Sequence, residues 1–172
     1  MMMKQLSLLI AGCLVLQVTR AQHEEREANL KAAFIYNFTK YIDWEMGNDG
    51  REFLIGVMGQ SPIMGALSEI ARGSAVKNKR IVVKKINTPG EINDCQVLFI
   101  PKDSEYSIKR ILEYAGKGVL VVGEREGYAT RGAAFNFVIV NDKLKFEANL
   151  KAIDLAGLKV SSQLLKLAII VD

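Results

Sequence analysis

The stretch Gly132 to Ala168, GAAFNFVIVNDKLKFEANLKAIDLAGLKVSSQLLKLA, decides the fold class. Its first part alternates with a period of two. Phe135, Phe137 and Ile139 fall on one face of an extended chain, and Asn136, Val138 and Val140 on the other. After Asn141-Asp142 the alternation resumes, with Leu144, Phe146 and Ala148 opposed to Lys143, Lys145, Glu147 and Asn149. Asn and Asp tolerate the left-handed backbone of a two-residue turn, so the two runs predict a β-hairpin. Leu150 to Ala156 predicts a short helix stopped by Gly157, the residue that most readily takes φ > 0 at a helix end. An apolar step, Leu158 to Val160, leads to Ser161-Ser162, whose hydroxyls can cap a last helix carrying Leu164, Leu165 and Leu167. Phe137, Phe146, Leu164 and Leu165 are the expected core of this block. It reads as a frame, with no catalytic machinery in it.

Upstream of the hairpin, strand patterns alternate with helical ones. Phe53 to Met58 reads as a strand, and Ser61-Pro62 as the start of a helix with Ile63, Ala66, Leu67 and Ile70 inward, ended by Gly73. Arg80 to Ile86 is a second strand and Pro89-Gly90 a turn. Gln96 to Ile100 is a third strand, bounded by Pro101. Asp103 or Ser104 is expected to cap a helix whose inner face is Ile108, Ile111, Leu112 and Ala115. Gly116 and Gly118 break it before the strand Val119 to Val122. Helices between strands supply crossovers. The expectation is therefore α/β: a single three-layer domain whose mixed sheet of mostly parallel strands ends in a C-terminal antiparallel hairpin and is flanked by helices. Before all of this, Glu24 to Tyr41 reads as an amphipathic helix with Leu30, Phe34, Phe38 and Tyr41 on one face, widened by Ala33 and Ile42. Trp44 closes it, and Gly47 to Gly50 is a loop. The aromatic end of this helix, Tyr41 and Trp44, is the expected partner surface.

A chain of 172 residues with 49% apolar and 24% charged residues can fill one core, which argues against disorder. The first 21 residues read as an export signal: Lys4, an apolar run from Leu6 to Val18, and the small-residue site Thr19-Arg20-Ala21. The chain divides accordingly into a signal peptide, 1–21, and an α/β domain, 22–172. Ile10-Ala11-Gly12-Cys13 also resembles a lipobox, the competing reading being a lipoprotein anchored at Cys13. The formal charge of +4 includes Lys4 and Arg20; beyond the leader, 21 Lys and Arg face 19 Asp and Glu. That small, scattered excess excludes a nucleic-acid binder as the leading class. The basic cluster Lys77-Asn78-Lys79-Arg80 with Lys84-Lys85 reads as a solvated loop and strand face. Cys95 is the only cysteine past the leader, so it makes no internal bridge. It is expected as a free thiol, either a small buried hydrophobe or an intermolecular or redox-sensitive group.

No catalytic, cofactor-binding or metal-binding residues emerge. The single histidine, His23, lies at the expected mature N-terminus, and one His with one Cys cannot build the usual zinc sites or a His-activated nucleophile. Gly56, Gly59 and Gly65 match neither GxGxxG nor a P-loop. Glu124-Arg125-Glu126-Gly127-Tyr128 follows a strand end, where α/β folds often bind ligands, but also fits a solvated loop. A binding or regulatory module outweighs an enzyme on this balance.

KAAFIYNFTKYIDW (Lys31 to Trp44), FLIGVMG (Phe53 to Gly59), CQVLFI (Cys95 to Ile100) and GYATRGAAFNFVIVNDKLKFEANLKAIDLAGLKVSSQLLKLA (Gly127 to Ala168), in that order, resemble the YfiR family of exported bacterial proteins. The resemblance implies a periplasmic α/β domain without enzymatic activity or cofactor, commonly a homodimer. It implies repression of a membrane-anchored diguanylate cyclase through that partner's periplasmic part, lowering cyclic di-GMP, with release by envelope or redox signals. A sensor histidine kinase is the alternative partner, and a periplasmic small-molecule binding domain the alternative function. Two departures stand out. Cys95 matches a cysteine that pairs internally in some members, yet no partner follows the leader, and Glu45 stands where members often have proline after the tryptophan.

Overall fold

Val97–Ile100 and Leu120–Gly123 are buried at every position. Continuous apolar runs of this kind belong to strands covered on both faces, and they fix the centre of the molecule. The structure, a computed structural model, describes residues 2–44 and 51–171, with side chains from residue 22 onward except at position 93. In chain order the elements are α1 (Met2–Tyr41), β1 (Ile42–Asp43), β2 (Glu52–Met58), α2 (Ile63–Gly73), β3 (Ala75–Val76) and β4 (Lys79–Ile86). A 3-10 turn (Pro89–Asp94), β5 (Val97–Ile100), α3 (Ile108–Leu112), β6 (Leu120–Gly123), β7 (Phe135–Val140) and β8 (Lys143–Asn149) follow. The chain ends with α4 (Leu150–Leu155), β9 (Lys159–Val160), α5 (Ser162–Leu165) and β10 (Ile169–Val171).

Among the described residues the strands form one eight-stranded sheet, ordered β10-β8-β7-β6-β5-β2-β4-β3, and a small sheet of β1 with β9. Pairing is parallel from β4 through β2, β5 and β6 to β7, and antiparallel between β7 and β8 and between β3 and β4. This is the mixed, mostly parallel sheet with a C-terminal hairpin that the sequence predicts. One face, carrying Phe53, Ile55, Phe99, Val122, Phe135 and Phe137, packs on α1 and α2. The other, carrying Leu98, Ile100 and Val121, packs on Ile108 and Ile111 of α3. The hairpin turn is as the sequence reads: Asn141 and Asp142 take φ of 51° and 57°, the paired positive values of a type I′ turn. Gly157 ends α4 at φ 67°, and the Ser161 hydroxyl accepts from the Gln163 N–H at 3.2 Å.

Four sequence expectations need correction. The buried face of α1 is Ala28, Ala32, Ile35, Phe38 and Thr39, continued by Ile42 of β1, whereas Leu30 and Tyr41 are exposed. Both stripes have helical spacing, so periodicity alone could not choose; the sheet chose, by setting Phe38 4.7 Å from Phe135 and 4.9 Å from Phe146. Trp44, expected at the surface, is only 4% exposed. Pairing of β1 with β9 ties down the segment just after α1, and the indole packs edge-on against Phe53 at 5.2 Å. The cap of α3 is Ser107, which accepts from the Arg110 N–H at 3.3 Å, rather than Asp103 or Ser104. Finally, α5 stops at Leu165; Leu167 is exposed, and the chain leaves as β10 alongside β8. The loop expected at Gly47 to Gly50 lies outside the described residues.

Candidate functional site

Parallel strands point the same way, so β2, β5 and β6 deliver their carboxyl ends to one rim of the sheet. Loops leave there at Gly59, Pro101 and Glu124, the edge where open α/β sheets hold ligands. Lys31 of α1 reaches down to this rim. Its ammonium bridges Glu27, one turn back on the helix, and Glu124, just past β6. The Lys31 and Glu124 side chains are 11% and 10% exposed. The other oxygen of Glu124 accepts from the Lys102 N–H at 2.9 Å, and the Arg125 guanidinium donates to the Lys102 carbonyl, so the loops after β5 and β6 are tied together.

Burial works against the charge on Lys31. The carboxylates of Glu124 and Glu27 outweigh it and hold the ammonium's pKa above its ordinary 10.5. The Lys31 hydrogen bond conversely holds Glu27 below the ordinary carboxylate range, against a smaller opposing effect of burial. Lys31 is therefore a fully charged, doubly paired cation. It locks α1 onto the rim and is no free base.

Two clefts stand out, and the first borders this lock. One, of about 490 Å³, runs from Glu27, Lys31 and Glu124 to Glu126 and along Val138 to Val140 of the hairpin. On a separate part of the surface, a cavity of about 580 Å³ opens between α3 and α4, with Leu112 and Leu155 in its walls and Lys117, Arg131 and Lys151 around it. Its lining comes from three separate segments, 112–121, 130–134 and 149–156, so no local pattern announces it.

Of the residues singled out from sequence, Tyr41 lies exposed at the end of α1, while Trp44 is in the core; the chain does not bring them together as one surface. Glu124 and Arg125 are pieces of the rim. Cys95 is a free thiol, buried to 2% exposure. Burial pushes its pKa up to about 11, so it is a protonated thiol that neither attacks nor meets a disulfide partner without opening of the fold. The basic run at 77–80 is a turn at Lys77 and Asn78, both at positive φ, followed by the first two residues of β4; Lys77 pairs with Asp43 and Arg80 with Glu52. Among the described residues no three His, Cys, Asp or Glu side chains are arranged to hold a metal, and no helix is long and apolar enough to cross a membrane.

Three comparisons bear on this arrangement. A family model described as YfiR/HmsC-like matches residues 28–169, from the buried face of α1 to the start of β10. A crystal structure of a conserved domain protein from Vibrio cholerae O1 biovar El Tor is similar, with a TM-score of 0.50 at 12% identity over 84% of this chain. The chain spans 60% of the length of that protein, and the likeness is one of fold. No curated protein matches.

Proposed function

The chain belongs to the YfiR/HmsC-like family, and from that premise we propose that it represses a membrane-anchored diguanylate cyclase by binding the cyclase's extracytoplasmic part. The family is periplasmic, regulatory and non-catalytic, and acts in cyclic di-GMP signalling. The match over 142 residues is the observation that carries the reading. On this proposal the leader, 1–21, is removed on export, and the domain works in the periplasm, commonly as a homodimer. Repression requires only that the domain bind one state of the cyclase more tightly than the other, since a ligand shifts an equilibrium by its differential affinity. A sensor kinase with a periplasmic segment fits the same mechanism.

Deletion in the native organism should raise cyclic di-GMP, and the tagged protein should co-purify with a cyclase from membranes. Unchanged cyclic di-GMP together with no signalling protein recovered would overturn the proposal. The cavity between α3 and α4 favours a second reading, a sensor for a small anionic amphiphile: apolar walls suit a short tail and its three cations a carboxylate or phosphate. Saturating ligand at about a hundred times Kd would stabilise the domain by about 2.7 kcal/mol. A flat thermal-shift response to medium-chain carboxylates and phosphates rules this reading out.

A further inference from the structure

β6 and β7 pair only through Val122 with Phe135 and Gly123 with Asn136. β6 then stops at Gly123, while β7 continues to Val140, its other side still laddered to β8 down to the pair Val140–Lys143. From Phe137 onward, β7 is therefore an open sheet edge. The direction of its backbone groups follows from the ladder. The Asn149 N–H donates to the Ala134 carbonyl, so in antiparallel alternation the positions facing β8 are 134, 136, 138 and 140. The N–H and C=O of Ile139 then face away from β8, into the lane that β6 vacates. Ile139 is 58% exposed, the most exposed large apolar side chain of the hairpin. The 490 Å³ cleft lies along this edge, and its charge is lopsided: Glu27, Glu124, Glu126 and Glu147 against Lys31.

We infer that the open edge of β7 takes up an extended, basic segment of the partner protein as an added strand. The segment lies in the lane of β6, hydrogen-bonds to Ile139, and sets its cationic side chains against the rim carboxylates. Four residues of edge, 137–140, span about 13 Å at ~3.3 Å per residue, which suits a short linear segment rather than a domain face. Charge selects the occupant. A second copy pairing edge to edge about Ile139 would bring the acidic cleft of each copy against that of the other, and like charges oppose that arrangement. An incoming lysine or arginine meets four carboxylates with only one resident cation.

This inference rests on the reading of the protein as a binding regulator, and two assays keep the two apart. Ile139→Pro removes one outward N–H without touching the β8 ladder, at an edge position where proline is tolerated. Glu126→Lys reverses an exposed cleft carboxylate. Both variants should melt within a few degrees of the wild type. In a deletion strain the wild type should lower cyclic di-GMP, and each variant should lose most of that effect. By fluorescence anisotropy, a nine-residue peptide alternating lysine and valine should bind the wild type at least tenfold more tightly than its glutamate–valine counterpart. Ile139→Pro should lose that binding tenfold or more. If both variants repress as the wild type does, the edge is not the docking surface and the inference falls. If the wild type itself leaves cyclic di-GMP unchanged, the functional reading falls and the peptides alone decide: equal binding of the two peptides, or full binding by Ile139→Pro, overturns the inference. A wild-type dimer that Ile139→Pro splits would make the edge a self-association surface, which also overturns it.

Discussion

The middle of the sheet and its C-terminal hairpin are built from similar residues and end up with opposite properties. β5 and β6 are buried at every position, lie between helical layers and have a strand on either side. β7 begins the same way, with Phe135, Asn136 and Phe137 buried, then passes beyond the end of β6 and becomes progressively exposed through Ile139. The change is not one of composition, since Val138, Ile139 and Val140 are as β-prone and apolar as Val121 and Val122. What differs is the length of the neighbouring strand. Burial follows from what lies alongside, and a strand that outruns its neighbour keeps a free ladder of donors and acceptors. The rigid half supplies the platform, and the outrunning half supplies the surface.

That contrast can be broken from the platform side first. Phe38→Ala removes the ring that α1 sets among Phe34, Phe135, Phe137 and Phe146. It should cost about 3–5 kcal/mol in urea unfolding, the range for emptying a buried aromatic site.

Lys31→Met tests the lock between α1 and the rim. It strands the Glu124 carboxylate without its cation, and the expected loss is about 3 kcal/mol. Its pH signature is specific. Glu27 has a folded pKa below its ordinary 4.5, so its contribution is present above 4.5 and lost as pH falls through the folded value. Lys31 has a folded pKa above 10.5, so its contribution is present below 10.5 and lost as pH rises through the folded value. The difference in stability between wild type and Lys31→Met should therefore be largest near neutrality and shrink at both ends. A difference independent of pH would show that the loss is packing, not charge.

Gly123→Ala probes the point where β6 gives out. A Cβ there would stand 2.6 Å from Cδ2 of Tyr128 and 2.9 Å from Oδ1 of Asn136. Both neighbours are buried, so about 1–3 kcal/mol of overpacking is expected by thermal unfolding. Ile139→Thr, three residues further along β7 than its last pair with β6, should shift stability by no more than about 0.5 kcal/mol. A large loss there would mean that the hairpin edge is as structural as the platform.

Much of the frame was legible because it rests on local physics. The Asn141-Asp142 turn, the stop at Gly157 and the Ser161 cap each depend on a residue's own backbone preferences or on a hydroxyl two residues from its donor. The long strands were legible for a related reason, that their burial requires apolar runs. The two-residue strands β1, β3 and β9 were not, since two residues carry no period. The α1 face failed for the opposite reason. The helix has apolar residues on two adjoining stripes, and both satisfy the period of 3.6. Of the rim, the sequence offered Glu124 and Arg125 by their place after a strand. It gave no hint of Lys31, 93 residues away from its partner Glu124.

The sequence by itself determined the α/β class, the hairpin and its turn, the stop at Gly157, the Ser161 cap and the family likeness. Those are properties of neighbouring residues, fixed by torsional preference and by the alternation of apolar side chains. The tertiary structure alone decided that Trp44 is core and Tyr41 surface, that Cys95 is sealed, that Lys31 locks the first helix to the rim, and that β7 outruns β6. Each of these depends on which segments lie side by side. Relative strand length and helix rotation arise only when distant parts of the chain compete for the same burial.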